Sequence, residues 1–454
     1  MSEFETTGTP CIDTRLECVR PRLLILSYCL DPNGTMEERN GWQRALLAAK
    51  DFDVTVLYAT TVEECDLQKN IPAKLPANAI RFVRLEDDWF GANLKSFEPT
   101  FYWSYRRWHQ RAGAVAKQIH SDVPFMATHL VTLCGFREPA CVFDLKIPHV
   151  WGPIGGTHNF PRYFLSSIDL WNQFRESLRT AINNYQLHRC KRVRKAIHQS
   201  DTVIAASVQA QADLRAGFGI EAEVELETGI DHAIDPPRTK RLLGQPLKIL
   251  WCGRLRAWKG LPILLHAIRE LPADVEVQLR VIGDGSSRQA WRRTAKSLGI
   301  SEKIEWMAWP DYRETLQHYR WADVFAFTSL RDTSGTGLLE ALAAGCPILG
   351  LDHQGASDIM TNDCAVRVPT SDWKTAVSGF QEGIAVLAAQ PDRWLRLSHG
   401  ATLRANQYVW STRSTCVARA YRRIIEGSGL PMDMRNNSGK EIQNGWDRSV
   451  ADQT

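Results

Sequence analysis

Residues 251–260, WCGRLRAWKG, decide the fold, because they join the end of an apolar strand to the start of a helix. The strand predicted over Ile249–Cys252 ends at Gly253, and two cations, Arg254 and Lys259, follow on the turn. In an open α/β sheet, ligands bind at the carboxyl ends of the strands. The donor fork of an arginine and the point charge of a lysine together suit a pyrophosphate. The alternative is that both are solvated residues at a helix start.

A second stretch, residues 328–345 with the sequence TSLRDTSGTGLLEALAAG, places a loop rich in Gly, Ser and Thr before an apolar helix. Backbone N–H groups at such a helix start bind phosphate oxygens, and Gly335 and Gly337 keep side-chain bulk away from them. Glu340, in the first turn of this helix, can accept hydrogen bonds from two ribose hydroxyls. Asp332 lies in the preceding loop. The alternatives are a favourable helix-dipole position for Glu340 and a turn position for Asp332.

Short apolar runs alternate with helix-length segments on both sides of these stretches. Strands are predicted over Leu23–Cys29, Val54–Tyr58, Ile80–Val83, Ala127–Thr132, His149–Gly152, Val203–Ala206, Ile249–Cys252, Val277–Ile282, Ile304–Met307, Val324–Phe327 and Pro347–Leu351. Helices are predicted over Met36–Lys50, Phe101–His120, Leu261–Leu271, Gln289–Leu298, Tyr312–Tyr319, Gly337–Ala344 and Trp373–Leu387. This alternation predicts an α/β protein with two Rossmann-like, doubly wound domains that face a cleft.

The length of 454 residues also favours two domains. We predict the following division: an N-terminal extension over 1–20, an N-terminal Rossmann-like domain over 21–235, a linker over 236–245, a C-terminal Rossmann-like domain over 246–405, a C-terminal helix over 406–428 that packs back on the N-terminal domain, and a mobile tail over 429–454.

The net charge of +4 is too weak for a nucleic-acid coat, so no nucleic-acid partner is expected. We expect no signal peptide and no membrane span, since the N-terminus has no apolar core and no apolar run approaches about 20 residues. The 11 cysteines are scattered without a CxxC pair. They exclude a zinc finger or disulfide framework and predict a cytoplasmic protein.

The order GRL-x3-KG, then IGDG at 282–285, then TSLRD…GLLEALAAG resembles the C-terminal half of the retaining nucleotide-sugar glycosyltransferases of the GT-B fold. Within them it is most similar to the group 1, or family 4, set. The resemblance extends strongly over residues 247–427. The signature of that set is Glu-x7-Glu, and here Asp332 takes the first position and Glu340 the second. The shorter Asp side chain affects how the hydroxyls of the donor sugar are held.

The N-terminal half resembles a subgroup of the same family. ATHLVT at 127–132 and IPHVWGPIGGTHNFP at 147–161 are similar to its H-x-x-T…VWGP-x-GG pattern. The resemblance implies that His129 faces the cleft near the donor sugar and that Gly155 and Gly156 form a loop of close approach. A satisfied core histidine is the alternative for His129.

The resemblance implies transfer of a sugar from a nucleoside-diphosphate donor to a glycan or lipid-linked acceptor, with retention, in polysaccharide or glycoconjugate biosynthesis. It makes residues 21–235 the acceptor domain and residues 246–405 the nucleotide-sugar domain. It assigns catalysis to His129, Arg254, Lys259 and Asp332. It assigns donor binding to Gly34, Arg254, Lys259, Gly335, Thr336, Gly337, Leu338 and Glu340. Trp306 and Trp309 lie where a base could pack, and core packing explains them equally well.

No metal or other cofactor is expected. The one Asp-x-Asp triplet, at residues 51–53, is explained by an ordinary turn before a strand. The alternatives are a non-hydrolysing nucleotide-sugar epimerase and a catalytically inactive nucleotide-binding subunit of the same fold.

Residues 101–200 carry 14 Lys/Arg against 5 Asp/Glu. Aromatic and cationic segments at 101–111 and 160–164, with the basic run at 189–195, predict peripheral contact with an anionic membrane surface on the inner face, where a lipid-linked acceptor would lie. The alternative is a set of core aromatics beside a solvated basic helix.

Overall fold

The protein is described from a computed structural model. It describes residues 20–34, 36–76, 78–87, 98–133, 135–232, 238, 241–411 and 415–428. The predicted N-terminal extension apart from Arg20, the predicted tail and much of the predicted linker lie outside these residues.

The N-terminal domain is built on a parallel sheet with the strand order β3-β2-β1-β4-β5-β6-β7. Its strands are β1 (Arg22–Ser27), β2 (Asp53–Tyr58), β3 (Ile80–Arg84), β4 (Ala127–Thr132), β5 (His149–Ile154), β6 (Thr202–Ala205) and β7 (Glu223–Val224). Its helices are α1 (Met36–Ala48), α2 (Glu64–Lys69), α3 (Glu98–Asp122), α4 (Leu170–His188), α5 (Lys191–Gln199) and α6 (Val208–Phe218). The central strand β1 is apolar and fully buried over Leu23–Leu26, as expected for a strand covered on both faces.

The C-terminal domain repeats this plan with the strand order β10-β9-β8-β11-β12-β13, again parallel throughout. Its strands are β8 (Leu247–Cys252), β9 (Val277–Ile282), β10 (Ile304–Met307), β11 (Val324–Phe327), β12 (Ile348–Leu351) and β13 (Ala365–Val368). Its helices are α7 (Leu261–Arg269), α8 (Arg288–Ser297), α9 (Tyr312–Trp321), α10 (Thr336–Ala343), α11 (Gln354–Ile359), α12 (Trp373–Ala389) and α13 (Pro391–Asn406). The two sheets confirm the predicted fold class.

Each predicted strand is present, and its observed ends differ from the predicted ones by at most two residues. The sequence analysis missed β7 and β13. Each is an edge strand, β7 of the N-terminal sheet and β13 of the C-terminal sheet. β7 has only two residues, and Arg367 interrupts the apolar character of β13.

The last described helix, α14 (Cys416–Gly427), packs against the N-terminal domain. Val417, Ala420 and Tyr421 are buried in the same apolar cluster as Leu23 and Ile25 of β1. The chain therefore crosses between the domains twice. The outgoing and returning segments pair at Ile230 and Val409.

A buried ion pair fastens α1 to this crossover region. Arg44 Nη1 lies 2.5 Å from Glu225 Oε1, with both side chains almost fully buried. The other Glu225 oxygen accepts the backbone N–H of Val417 at the start of α14. The Arg44 guanidinium also lies over the ring of Trp410, on the returning segment. One arginine therefore joins the first helix to both ends of the crossover.

Arg44→Ala is expected to lower the free energy of unfolding by about 3–5 kcal/mol, because it leaves the buried Glu225 carboxylate without its counter-charge. Urea unfolding followed by circular dichroism measures this loss. The double variant Arg44→Met, Glu225→Gln removes both charges and is expected to regain most of the loss. A double variant as unstable as Arg44→Ala would mean that the charge of Glu225 is not the cause.

Candidate functional site

A cavity of about 870 Å³ lies between the two domains, where the glycine loop before α1 faces the turns that follow the C-terminal strands. This volume suits a ligand of nucleotide size. From the predicted set the cavity is lined by Gly34, Arg254, Lys259, Asp332, Gly335, Thr336, Gly337 and Glu340. The other predicted residues, His129, Gly155, Gly156 and Leu338, do not line it.

The turn that carries Arg254 and Lys259 is held against the end of β11 by Thr328. Trp251 Nε1 donates to the Thr328 hydroxyl at 2.9 Å, and that hydroxyl donates to the carbonyl of Lys259 at 2.7 Å. Gly260 has φ +64°, and a Cβ there would lie 2.3 Å from the Thr328 carbonyl oxygen. A side chain at Gly260 would therefore push the lysine turn away from its neighbour.

Lys259 and Asp332 form an ion pair at the floor of the cavity, and both side chains are about one-fifth exposed. Burial by itself raises the pKa of Asp332, but the ammonium of Lys259 and hydrogen bonds from Lys259 and Ser329 bring it below its ordinary value. Asp332 is therefore a carboxylate at neutral pH. Arg254 is exposed and lines the cavity, and its side chain makes no hydrogen bond or ion pair to any residue that the structure describes.

The start of α10 forms the opposite wall. Gly335 precedes the helix with φ +59°, which favours glycine, and a Cβ on Gly337 would lie 2.9 Å from the ring of Phe325. Glu340 also lines the wall, and burial raises its pKa to about 7 against the opposing effects of the Tyr319 hydroxyl and of an arginine on α1. The side chain of Leu338 is fully buried in the apolar core instead, so the prediction that it binds the donor is corrected for its side chain.

His129 does not face the cleft, which corrects the prediction from the N-terminal motif. It is fully buried in the middle of β4, with Nε2 2.8 Å from the carbonyl oxygen of Gly152 and Nδ1 2.6 Å from the hydroxyl of Tyr421 on α14. A carbonyl can only accept, so Nε2 carries the proton and Nδ1 accepts from Tyr421. Burial lowers the pKa of His129 to about 3, so the ring is neutral and fastens the last helix.

Gly155 and Gly156 approach the other domain closely, although they stand outside the cavity. The backbone N–H of Gly156 donates to the Thr333 hydroxyl at 3.2 Å, and a Cβ on Gly155 would lie 2.2 Å from Thr333 Cγ2. Thr333 follows Asp332 in the loop after β11. The two glycines therefore bring the N-terminal domain against the loop that carries the acidic residue.

Among the polar residues of α1 that line the cavity and that the sequence analysis missed are Arg39 and Asn40. Arg39 Nη1 donates to the Tyr312 hydroxyl at 3.0 Å, and its Nη2 pairs with Asp231 on the crossover. Asn40 is buried, and its side-chain amide has no hydrogen-bond partner within the described residues. The available signal was their position, about one to two helical turns after Gly34.

One of the two tryptophans considered for base packing lines the cavity. Trp309 is half exposed at the rim beside Tyr312. Trp306 packs on the core of the C-terminal domain, with Arg292 over its ring. Trp309 is therefore the better candidate for stacking on a planar ligand group.

The basic run at 189–195 is only partly available to a partner. Arg192 pairs with Glu138 at 2.7 Å, and Arg194 donates to the carbonyl of Gly217 at 2.7 Å. Lys191 and Lys195 are exposed. Two of the five cations in this run thus have partners in the fold, and three, including Arg189, are exposed.

A buried carboxyl group supports the loop before α10 from behind. Glu227 is 6% exposed, and its Oε1 accepts the hydroxyl of Ser334 at 2.7 Å. Burial raises its pKa to about 8, with further upward effects of Glu37 and Asp332 that exceed the opposing ones of Ser334 and Arg44. Glu227 is therefore largely protonated at neutral pH.

Comparisons with known proteins agree with this geometry. The family model described as glycosyl transferases group 1 matches residues 237–384. The D-inositol 3-phosphate glycosyltransferase of Corynebacterium efficiens is 27% identical over 216 residues, which cover 44% of this chain and 49% of that protein. The chain thus spans about half the length of the curated relatives it matches.

Two solved structures share both domains. Sucrose-phosphate synthase from Thermosynechococcus elongatus superimposes with a TM-score of 0.59 at 16% identity, covering 90% of this chain and 100% of that chain. HepE from Anabaena, solved in complex with UDP, gives a TM-score of 0.54 at 13% identity, covering 89% of this chain and 100% of that chain. At these identities the likeness establishes the fold.

Glu227→Gln is expected to make the protein more stable than the wild type at pH 8, with little difference near pH 4.5. Between those values the native state keeps a proton that the unfolded state has lost, so the wild type loses stability as pH rises toward the folded pKa of about 8. Each pH unit is worth about 1.4 kcal/mol, so a gain of at least about 1 kcal/mol is expected at pH 8.

Urea unfolding at pH 5 and pH 8 measures the effect. Glu302→Gln, at an exposed position, is the matched control and should change stability equally at both pH values. A constant difference between Glu227→Gln and the wild type would contradict the raised pKa of Glu227.

Proposed function

We propose that this chain transfers a sugar from a nucleoside diphosphate to a glycan or lipid-linked acceptor. The proposal is supported by the match of residues 237–384 to the family model of the group 1 glycosyl transferases and by the two-domain fold that the chain shares with glycosyltransferases. One observation carries the proposal. Arg254 and Lys259 line the same interdomain cavity as the glycine-rich start of α10. Two cations and a set of backbone N–H groups around one space suit a diphosphate.

The chemistry needs negative charge to be neutralised as the bond from the sugar to the diphosphate breaks. The charge grows on the β-phosphate, and Arg254, Lys259 and the start of α10 can stabilise it. A preorganised donor aimed at such charge contributes about 2.7–4 kcal/mol. We therefore propose that neither a metal ion nor a protonated carboxyl group is required.

The Lys259–Asp332 pair gives the two cations different roles. Lys259 reaches the cavity already held by Asp332, whereas Arg254 is exposed beside it. In the proposed complex Lys259 is shared between the carboxylate and the phosphate, and Arg254 adds a second positive charge. The Asp332 side chain is shorter than the Glu of the family signature, and its carboxylate pairs with Lys259.

The remaining lining residues fit the other parts of a nucleotide sugar. Glu340 lies where its carboxyl group can accept ribose hydroxyls, and Trp309 offers a ring at the rim for a base. Arg39 and Asn40 approach from the N-terminal domain. We propose retention of anomeric configuration with attack on the face that the diphosphate leaves, and the anomer of the isolated product, determined by NMR, decides this point.

A thermal-shift panel of UDP, GDP, ADP and their common sugars tests donor binding. A ligand present at a hundred times its dissociation constant should add about 2.7 kcal/mol to the free energy of unfolding. One base is expected to stand out, and the assay needs no acceptor. If no nucleoside diphosphate stabilises the protein, the proposed function is wrong. Formation of an epimer from the sugar nucleotide alone would favour the epimerase alternative.

Arg254→Ala and Lys259→Ala are each expected to lower turnover by about a hundredfold or more, because each removes a group that stabilises the leaving diphosphate. Turnover is measured as release of the nucleoside diphosphate with EDTA present, using the donor that the panel identifies. Arg256→Ala is the matched control, since Arg256 lies on the same turn but contacts Ser286 and does not line the cavity. Near-normal turnover of either cavity variant would contradict the assigned clamp.

A further inference from the structure

Helix α4 exposes most of its large apolar side chains to solvent and buries two of its polar ones. Its buried residues are Glu176, Asn183 and Leu187. Its exposed large apolar residues, which we call the apolar stripe, are Leu170, Trp171, Phe174, Leu178, Ile182 and Tyr185. Each is between 47% and 81% exposed. Their spacing of three and four residues places most of them on one helix face.

The inward polar face of α4 is explained by its contacts. Glu176 pairs with Arg331 of the C-terminal domain at 3.2 Å. Asn183 Nδ2 donates to the carbonyl oxygen of Thr157 at 2.5 Å, and Arg179 Nη1 donates to that of His158 at 3.0 Å. These contacts hold the segment that follows Gly156 beside the cleft. They also fix the rotation of the helix, so the stripe must face outward.

Packing among the described residues does not explain why these apolar side chains are exposed. Single exposed apolar residues are ordinary, but a contiguous apolar face marks a surface that contacts a partner. Among the helices of the described ranges, none has the length and apolar character needed to span a membrane. Because the apolar residues lie along one side of α4, the stripe is suited to an occupant that receives one face of a helix.

The charge around the stripe identifies that occupant. Residues 170–199 contain seven Lys/Arg and one acidic residue, Glu176, whose charge is committed to Arg331. Arg189, Lys191 and Lys195 follow the stripe directly and are exposed. An apolar helix face bordered by cations matches an anionic bilayer, in which apolar side chains enter the acyl boundary and cations meet the headgroups.

We propose that the apolar stripe of α4 docks the N-terminal domain on an anionic lipid bilayer, with the helix lying in the plane of the interface. The surface thus differs from the basic run alone, since two cations of that run have partners in the fold. Docking would bring the cleft loop held by Asn183 next to the membrane. The link to a lipid-linked acceptor rests on the proposed function, whereas vesicle binding does not.

Cosedimentation of the full chain with phosphatidylcholine vesicles, with and without phosphatidylglycerol, tests the proposal. The wild type is expected to bind the anionic vesicles and to bind the neutral ones more weakly. The variant Trp171→Ser, Phe174→Ser, Leu178→Ser is expected to lower the partition coefficient by about a hundredfold or more, because it removes three apolar anchors. The variant Ile182→Ser, Tyr185→Ser tests the other end of the stripe and should lower it as well.

The matched control is Leu242→Ser, Leu243→Ser, Leu403→Ser, which removes three exposed apolar residues away from α4. It should bind vesicles like the wild type. Vesicle binding that survives both stripe variants, or is absent in the wild type, would overturn the proposal. So would light scattering that finds a wild-type dimer and monomeric stripe variants without a loss of vesicle binding, which would assign the stripe to a second copy of the chain.

The nucleotide thermal shift separates this proposal from the proposed function. Stripe variants should keep the stabilisation by the nucleoside diphosphate that the wild type shows, which also reports that they are folded. If no nucleotide stabilises any form while the stripe variants still lose vesicle binding, the docking surface stands and the proposed function fails.

Discussion

The ion pair between Lys259 and Asp332 is the interaction on which the candidate site depends, because it joins the turns that follow two adjacent strands. β8 and β11 are neighbours in a parallel sheet, so their carboxyl ends lie side by side and the two turns meet. The Thr328 hydroxyl holds the two turns together by donating a hydrogen bond to the backbone carbonyl of Lys259. The pair keeps Asp332 ionised and Lys259 aimed at the cavity. The site therefore presents one cation held in position and a second, Arg254, that is exposed.

The fold was predictable because most strands carry their own signal. Strands buried on both faces of a parallel sheet must be nearly continuous apolar runs, and β9 was predicted with its observed ends, Val277–Ile282. The strands that escaped prediction lie at the outer ends of the two sheets, where this requirement is relaxed. Ala365–Val368 includes an exposed arginine, and Glu223–Val224 is too short to show any pattern.

The site was predictable where a residue's role depends on its neighbours in sequence. Arg254 and Lys259 follow a strand end directly, and Gly335 precedes a helix. The local sequence pattern was therefore enough to predict that they line the cavity. The same reasoning gave a wrong prediction for His129, because its surroundings depend on Tyr421, which lies 292 residues away in the sequence. Arg39 was missed for the same reason, since its partners Asp231 and Tyr312 come from the crossover and from the other domain.

Helix α4 shows a further limit of local pattern. Periodicity reveals that a helix has an apolar face and a polar face, but it does not say which one is buried. Here the polar face is buried, because Glu176 meets Arg331 across the cleft and Asn183 holds the carbonyl of Thr157. The helix is about 10 Å thick, so a surface that receives the apolar stripe lies roughly that far from the cleft loop. The polar contacts that bury one face of α4 thereby decide which of its side chains the protein exposes.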